Sequence, residues 1–213
     1  MVSDADRVAE QAIVALLRAE RPDDALLGEE GARGDGTSGR RWVLDPLDGT
    51  TNFLYGIPQW AVSVAVEGTE GVTAGVVLDP VRDELFTAVR GEGAWLDGRP
   101  ILVRPAPPLE RSLVATGFSY DSAVRAEQAE TLRAVLPRVR DVRRAGAASL
   151  DLAWLAAGRL DAYFERGLKP WDWAAGRLLA AEAGAEVVEL AGEPPGLLAA
   201  RPEVLAGLLE LVR

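Results

Sequence analysis

Asp45 and Asp48 stand three residues apart in the string LDPLDGTTN, directly after the short apolar run Trp42-Val43-Leu44. A strand over that run would deliver Asp45 to a sheet edge. Pro46 then fixes its own φ and turns the chain, and a turn of that kind brings carboxylates at i and i+3 to one spot. Gly49 permits an unusual φ or a close backbone approach. Thr50, Thr51 and Asn52 are all N-cap types, so a capped helical turn here would aim free backbone N–H groups at the same place, a ready anion site. Carboxylates beside amide donors make chemical sense when a cation sits on the acids and a phosphate joins that cation to the amides. Hard oxygen ligands suit Mg²⁺, which keeps several waters and binds substrate phosphate. The same string also reads as a turn rich in turn formers.

Two further acids could join them. Glu29, in LLGEEG, follows the apolar run Ala25-Leu26-Leu27 and points either into a cleft or into a solvated loop. Asp172, in KPWDWAAG, is a natural N-cap for an apolar helix of small residues. An acid between two tryptophans is partly buried and needs a partner, and the nearby cation in the sequence is Lys169. Four converging acids would repel one another, so cations must neutralise them or some must stay protonated.

Composition narrows the chemistry around these acids. The chain has 213 residues, is 48% hydrophobic and 26% charged, and can bury a sizeable core. It contains no cysteine, hence no disulfide, thiolate nucleophile or zinc–thiolate site, and no histidine, hence no imidazole base, Ser-His-Asp triad or imidazole ligand. A metal-activated water needs neither. The net charge of −10 opposes a nucleic-acid partner. The one basic stretch, Arg138, Arg140, Arg143 and Arg144, is interrupted by Asp141 and reads as solvated surface. No run of eighteen apolar residues exists to span a membrane. The acidic, amphipathic start MVSDADRVAEQAI lacks the features of a signal peptide, so the expected location is cytoplasmic.

The elements that must position the acids follow from periodicity. Val8, Ala12, Ile13, Leu16 and Leu17 give residues 4–19 a helical apolar face. Residues 31–40, rich in Gly, Ser and Asp, read as a mobile loop. Residues 60–67, 72–78, 84–89 and 93–96 form an antiparallel meander with a turn at Asp97-Gly98. Pro105, Pro107 and Pro108 mark a boundary, giving a metal-binding lobe over 1–108 and a substrate lobe over 109–213 within one structural unit. The second half alternates: strand 112–116, helix 122–136, helix 148–157, strand 160–165, helix 171–183, strands 185–190 and 197–200, helix 202–212. The fold class is therefore α/β, with an α+β first lobe and an alternating α/β second lobe.

The strings WVLDPLDGTTNFLYGIPQWAVSVAV and WDWAAGRLLAAEAG resemble the first and second signatures of the inositol monophosphatase family, and LLGEEG resembles its Gly-Glu-Glu element. All three occur in the family's order. The likeness extends through DPVRDELFTAVRGEGAWLDGRPI and RRAGAASLDLAWLAAGRLDAYFERG, so it covers nearly the whole chain. It implies the layered αβαβα sugar-phosphatase fold and a Mg²⁺-dependent, lithium-sensitive hydrolysis of a small phosphomonoester, an inositol monophosphate being the first guess. It implies two or three Mg²⁺ ions, one on Glu29, Asp45 and the Leu47 carbonyl, another on Asp45, Asp48 and Asp172. By the same resemblance Gly49 and Thr50 N–H groups bind phosphate. Asp6, Glu29 and Thr50 form the catalytic set, with the Thr50 hydroxyl and Asp6 paired to orient and deprotonate water. Gly146, Ala147, Ala148 and Glu165, with Asp48 and Asp172, meet the substrate.

Family members carry a helix and a lysine-bearing hairpin ahead of the Asp6 region, whereas this sequence starts at MVSDAD. The expectations from that difference are a 4–19 helix packed by its apolar face on the sheet, uncovered apolar surface where a preceding helix would cover the sheet, a homodimer or larger oligomer, and weak metal binding nearest Asp6. Other substrates stay open: fructose-1,6-bisphosphate, histidinol phosphate, or a nucleotide or sugar phosphate. Arg166 and Lys169, beside Glu165, either meet a second anionic group or are surface charge. A non-catalytic partner-binding protein on the same fold is the rival reading. A kinase is not, for want of a Gly-rich phosphate loop.

Overall fold

A computed structural model describes residues 3–213. Helix α1 (Asp4–Glu20) opens with Ser3 as N-cap and Asp6 reaching back to the Ser3 N–H at 2.8 Å. It lies on an eight-stranded sheet built from β1 (Ala25–Gly28), β2 (Arg33–Gly34), β3 (Arg41–Asp48), β4 (Ala61–Gly68), β5 (Gly71–Asp79), β6 (Glu84–Val89), β7 (Gly93–Leu96) and β8 (Arg99–Ile101). The strand order is β2-β1-β3-β4-β5-β6-β7-β8. Every pairing is antiparallel except β1 with β3, so the expected meander runs from β4 to β8.

The second sheet has the order β10-β9-β11-β13-β12, from β9 (Leu113–Thr116), β10 (Asp141–Arg143), β11 (Ala162–Arg166), β12 (Glu186–Leu190) and β13 (Gly196–Ala200). β9, β10 and β11 are parallel, while β13 is antiparallel to both neighbours. Helices α4 (Ala148–Ala156) and α5 (Pro170–Glu182) fill the space between the sheets, and α3 (Ser122–Val135) and α6 (Pro202–Val212) cover the far face. The layers are thus α1, sheet, α4/α5, sheet, α3/α6, the αβαβα order the sequence led us to expect.

The core follows these layers. Val43, Ala65, Val77 and Phe86 of the first sheet pack with Leu150, Leu152, Leu155 and Leu179 of α4 and α5 in one apolar cluster. A second cluster joins Val114, Phe164 and Leu198 to Val135 and Leu208 of the outer helices. Burial of such aliphatic side chains contributes about 1.5–3 kcal/mol each before chain entropy is counted. Since α4 and α5 come from the second half yet lie on the first sheet, the two halves share that core.

Several expectations needed correction. On α1 the side toward β3 carries Asp6, Glu10, Ile13 and Leu17, the i, i+4, i+7, i+11 spacing of one helix face. Asp6 and Glu10 are buried, while Val8 and Leu16 stand 65% and 64% exposed. The helix turns its carboxylates inward because backbone and hydroxyl donors await them there. Asp45 lies not at a sheet edge but on an interior strand, because β3 continues through Asp45 and Asp48 between β1 and β4. Segment 31–40 contains β2 and is tied down: Asp24 accepts from the Ser38 hydroxyl at 2.6 Å, and Thr37 and Ser38 N–H groups donate to the Asp23 carbonyl. The basic stretch contributes a strand, β10, with Arg143 paired to Asp141 at 2.6 Å.

Candidate active site

Strand β3 brings Asp45 and Asp48 to one end of the first sheet, with a register shift against β4 between them that re-aims the chain. Gly49 follows at φ 96°, and a Cβ there would lie 3.0 Å from the Gln59 carbonyl oxygen. Glycine is needed both for that backbone conformation and for that contact. The short helix α2 (Thr50–Leu54) starts at once, with Gly49 as N-cap and no side-chain cap. The capping expected of Thr50, Thr51 or Asn52 is therefore absent, and their side chains are spent elsewhere. The buried Thr50 hydroxyl lies 3.0 Å from Asp6 Oδ1 and 3.0 Å from the Leu47 carbonyl oxygen. Asn52 Nδ2 donates to the Gln59 and Ala145 carbonyls at 2.7 and 2.8 Å, fastening α2 to the loop that begins α4.

These elements enclose an open, largely polar cleft. Glu29, Asp45, Leu47, Asp48, Gly49 and Thr50 line its first-sheet side, and Gly146, Ala147, Ala148, Glu165 and Asp172 line the other. Every expected site residue but one faces this cleft. The exception, Asp6, stands behind it and touches the site through Thr50.

The acids are held individually. Asp45, 1% exposed, accepts the Leu47 N–H at 3.0 Å. Asp48 Oδ2 accepts both the N–H and the hydroxyl of Ser149, at 2.7 and 2.6 Å. Asp172 is the third residue of α5 rather than its N-cap, and its Oδ2 accepts the Lys169 N–H at 2.6 Å. The partner sought for this acid is thus the backbone of Lys169, whose side chain is exposed. Glu165 accepts from the Tyr163 hydroxyl at 2.7 Å.

Their environment disfavours charge. Burial raises Asp45 well above the ordinary carboxylate range, and the charges of Asp48, Glu29 and Asp172 raise it further. Burial lifts Asp48 to about 6 against the opposing Ser149 bonds, Glu165 to about 7, and Asp172 to about 8. Glu29 is raised by burial, offset in part by a hydrogen bond with Asp45. Among the described residues no three carboxylates are already disposed to hold an ion. The donor chemistry nonetheless fits one: carboxylates and a carbonyl with no nitrogen or sulfur, a hard set suited to Mg²⁺. Asp172 keeps one oxygen outside the hydrogen bond from Lys169.

Sequence reasoning missed several cleft residues. Arg144, assigned to solvated surface, lines the cleft and lowers the pKa of Asp151 and Glu165. Asp151, 2% exposed on α4, also lines it, with one oxygen unpartnered. The available signal was an acid inside the apolar helix ASLDLAWLA. Ser149 gave no signal. Tyr120 stands at the mouth, its hydroxyl 3.3 Å from Thr51 Oγ1. Arg166 does not serve the cleft as a cation: its guanidinium donates to the Ala191, Pro194 and Val212 carbonyls.

Residues 1–211 match the model of the inositol monophosphatase family. The "Nus factor SuhB" of Pseudomonas aeruginosa is 48% identical over 201 residues, 90% of this chain and 73% of that protein. The "Inositol-1-monophosphatase" of Rhizobium meliloti is 48% identical over 185 residues, 86% of this chain and 70% of that protein. Among solved structures, the extragenic suppressor protein suhB of Bartonella henselae superposes with a TM-score of 0.94 at 40% identity, covering 100% of this chain and 84% of the other.

Proposed function

This chain belongs to the inositol monophosphatase family, and from that premise we propose that it hydrolyses a small phosphomonoester, an inositol monophosphate being the first candidate, to an alcohol and phosphate. The observation that carries the reading is the meeting of Glu29, Asp45, Asp48, Asp172 and Thr50 in one cleft, with Asp6 behind Thr50. Glu29, Asp45 and the Leu47 carbonyl would hold one Mg²⁺, and Asp45, Asp48 and Asp172 a second, with a third, weaker ion nearest Asp6. Bound Mg²⁺ would supply positive charge against the phosphate and make an attacking water acidic enough to react near neutral pH.

The chain's own groups do the rest. Gly49 and Thr50 N–H groups take phosphate oxygens. The Thr50 hydroxyl donates to Asp6, which leaves its lone pairs to accept from a water and aim it. Asp6 is the base at the end of that pair, and Glu29 steadies the water from the other side. Asp6 is held ready by the Ser3 N–H and hydroxyl on its second oxygen. Gly146, Ala147 and Ala148 present backbone to the alcohol. Glu165, raised to about 7, can donate to or accept from a substrate hydroxyl near neutral pH. With Arg166 spent on carbonyls, the cation that lines the cleft is Arg144, which favours a monophosphate of a polyol over a bisphosphate.

The names of several relatives, "Nus factor SuhB", support a second reading: a partner-binding protein on this fold, with or without turnover. A panel of phosphomonoesters, assayed with Mg²⁺ and with excess chelator, separates the two. Phosphate release that needs Mg²⁺, vanishes with chelator and is inhibited by lithium supports the enzyme. Turnover undiminished by chelator rules out the metal mechanism, and no release from any ester leaves the partner-binding reading.

A further inference from the structure

We infer that Glu10 is the positioning residue for Glu29: its carboxylate clamps the turn that carries Glu29 and thereby sets the affinity of the cleft for its divalent cation. The inference rests on the metal-dependent reading above and deepens it.

Glu10 sits one helical turn after Asp6 on α1 and is 7% exposed. Its Oε2 accepts the N–H of Glu30 at 3.1 Å and its Oε1 the N–H of Ala32 at 3.0 Å. Those two amides flank Gly31 in the turn between β1 and β2, and Glu29 is the first residue of that turn. The carboxylate lies directly against the end of β1: a Cβ on Gly28 would sit 2.1 Å from Glu10 Oε2. No real Cβ tolerates such a distance, so Gly28 admits the clamp. On the opposite side the Glu29 N–H donates to the Leu44 carbonyl at 3.1 Å, one residue before Asp45. The turn is therefore gripped between α1 and the strand that supplies the other acids.

The chemistry of the grip is specific. Two N–H groups converge on one side chain, and both need acceptors. An ionised carboxylate offers two acceptor oxygens and no donor, whereas a Gln amide offers one oxygen and sets its NH₂ against the second N–H. No ion pair neutralises Glu10 among the described residues, and Asp6 and Glu30 are its acidic neighbours. A buried carboxylate in acidic company is costly to keep. Here it holds the backbone on which a proposed ligand is mounted. Groups that orient a ligand in this way typically change metal affinity by about tenfold to a hundredfold when altered.

The test is calorimetric titration with Mn²⁺ of the wild type, Glu10→Gln, Glu10→Asp and Leu17→Ala, with amide exchange at Glu30 and Ala32 followed in parallel. Leu17 lies on the same face of α1 and controls for simple loosening of the helix. The expected result is Mn²⁺ binding weakened by about tenfold or more in Glu10→Gln, faster exchange at both amides, and a smaller weakening in Glu10→Asp, which keeps both oxygens but withdraws them. Leu17→Ala should melt earlier with Mn²⁺ affinity unchanged. Wild-type affinity in Glu10→Gln, or equal weakening in Leu17→Ala, overturns the inference. Should Glu10→Gln fail to fold, Glu10→Asp with normal affinity overturns it as well. A wild type that takes up no Mn²⁺ overturns the metal-dependent reading itself, which the variants leave distinguishable.

Discussion

The metal-free protein should lose stability as pH rises from 5 to 8, and Mg²⁺ should remove that loss. Asp48 sets the scale. Burial raises it from 3.8 to about 6 in the folded chain, so between those values the unfolded chain binds fewer protons than the folded one. Stability then falls with rising pH: it is fully present below the unfolded value and is lost as pH passes through the folded one. A shift of about two pKa units at about 1.4 kcal/mol each amounts to ~3 kcal/mol in full, of which about half, roughly 1.4 kcal/mol, is lost above pH 5. Glu165 at about 7 and Asp172 at about 8 carry the decline to higher pH. Because these acids interact, they release protons in shared steps, and Asp48 alone gives the safer magnitude. For a chain of this length each kcal/mol moves the melting temperature by about 2–4 °C, so the drop expected from Asp48 between pH 5 and 8 is roughly 3–6 °C.

Asp24 does not confuse the measurement, since bonds from Ser38 and Trp42 lower its pKa and it is ionised in both states above pH 5. Melting curves in chelator across pH 5 to 8, repeated in saturating Mg²⁺ and at high salt, provide the assay. Surface repulsion in a chain of net charge −10 is screened by salt, whereas the buried cluster is not. Asp45→Asn should flatten the chelator slope and raise the melting temperature at pH 8, because it removes a charge from the centre of the cluster. A melting temperature that is flat or rises from pH 5 to 8 in chelator would refute the reasoning, as would a slope that high salt abolishes.

Four further outcomes are expected. Asp45→Asn should keep the circular dichroism of the wild type and lose phosphate release by at least about a hundredfold, beyond the usual effect of groups that merely support a ligand; near-normal turnover would remove Asp45 from the site. Gly49→Ala places a side chain at φ 96° and 3.0 Å from a carbonyl oxygen, so it should cost about 1–3 kcal/mol in melting experiments and raise KM. Arg166→Ala should lower thermal stability through three lost carbonyl contacts while leaving the ranking of substrates unchanged, whereas Arg144→Ala should alter that ranking. Sedimentation should show a dimer, and if the exposed apolar stripe of α1 forms its interface, Val8→Ser with Leu16→Ser should shift it toward monomer.

The acids of the cleft were readable because their neighbours in sequence are unusual: a proline, a glycine and three hydroxyl or amide residues crowd LDPLDGTTN. The meander was readable because β-branched alternation needs no tertiary context. Ser149 was hidden because its partner comes from the other half of the chain: it meets Asp48 across 101 positions of sequence. The capping of α2 was misread for a related reason. Thr50 has the chemistry of a cap, but Asp6, 44 residues away, competes for its hydroxyl and is its partner.

Helix α1 is the most instructive case. Hydrophobic periodicity selects Val8, Ala12, Ile13, Leu16 and Leu17 as its apolar face, because burying apolar surface is the usual reason for a helix to dock, and of these Ile13 and Leu17 are the ones turned inward. The structure turns inward the stripe of Asp6, Glu10, Ile13 and Leu17. Two buried carboxylates oppose docking unless donors are waiting, and here there are five: the Ser3 N–H and hydroxyl and the Thr50 hydroxyl for Asp6, and the Glu30 and Ala32 N–H groups for Glu10. Ile13 and Leu17 supply the apolar part of the contact one turn further on. The orientation of this helix is thus set by the groups that hold Thr50 and the Glu29 turn in place. A rule based on apolar burial alone finds Ile13 and Leu17 but misses Asp6 and Glu10, because it takes no account of the donors that hold buried carboxylates.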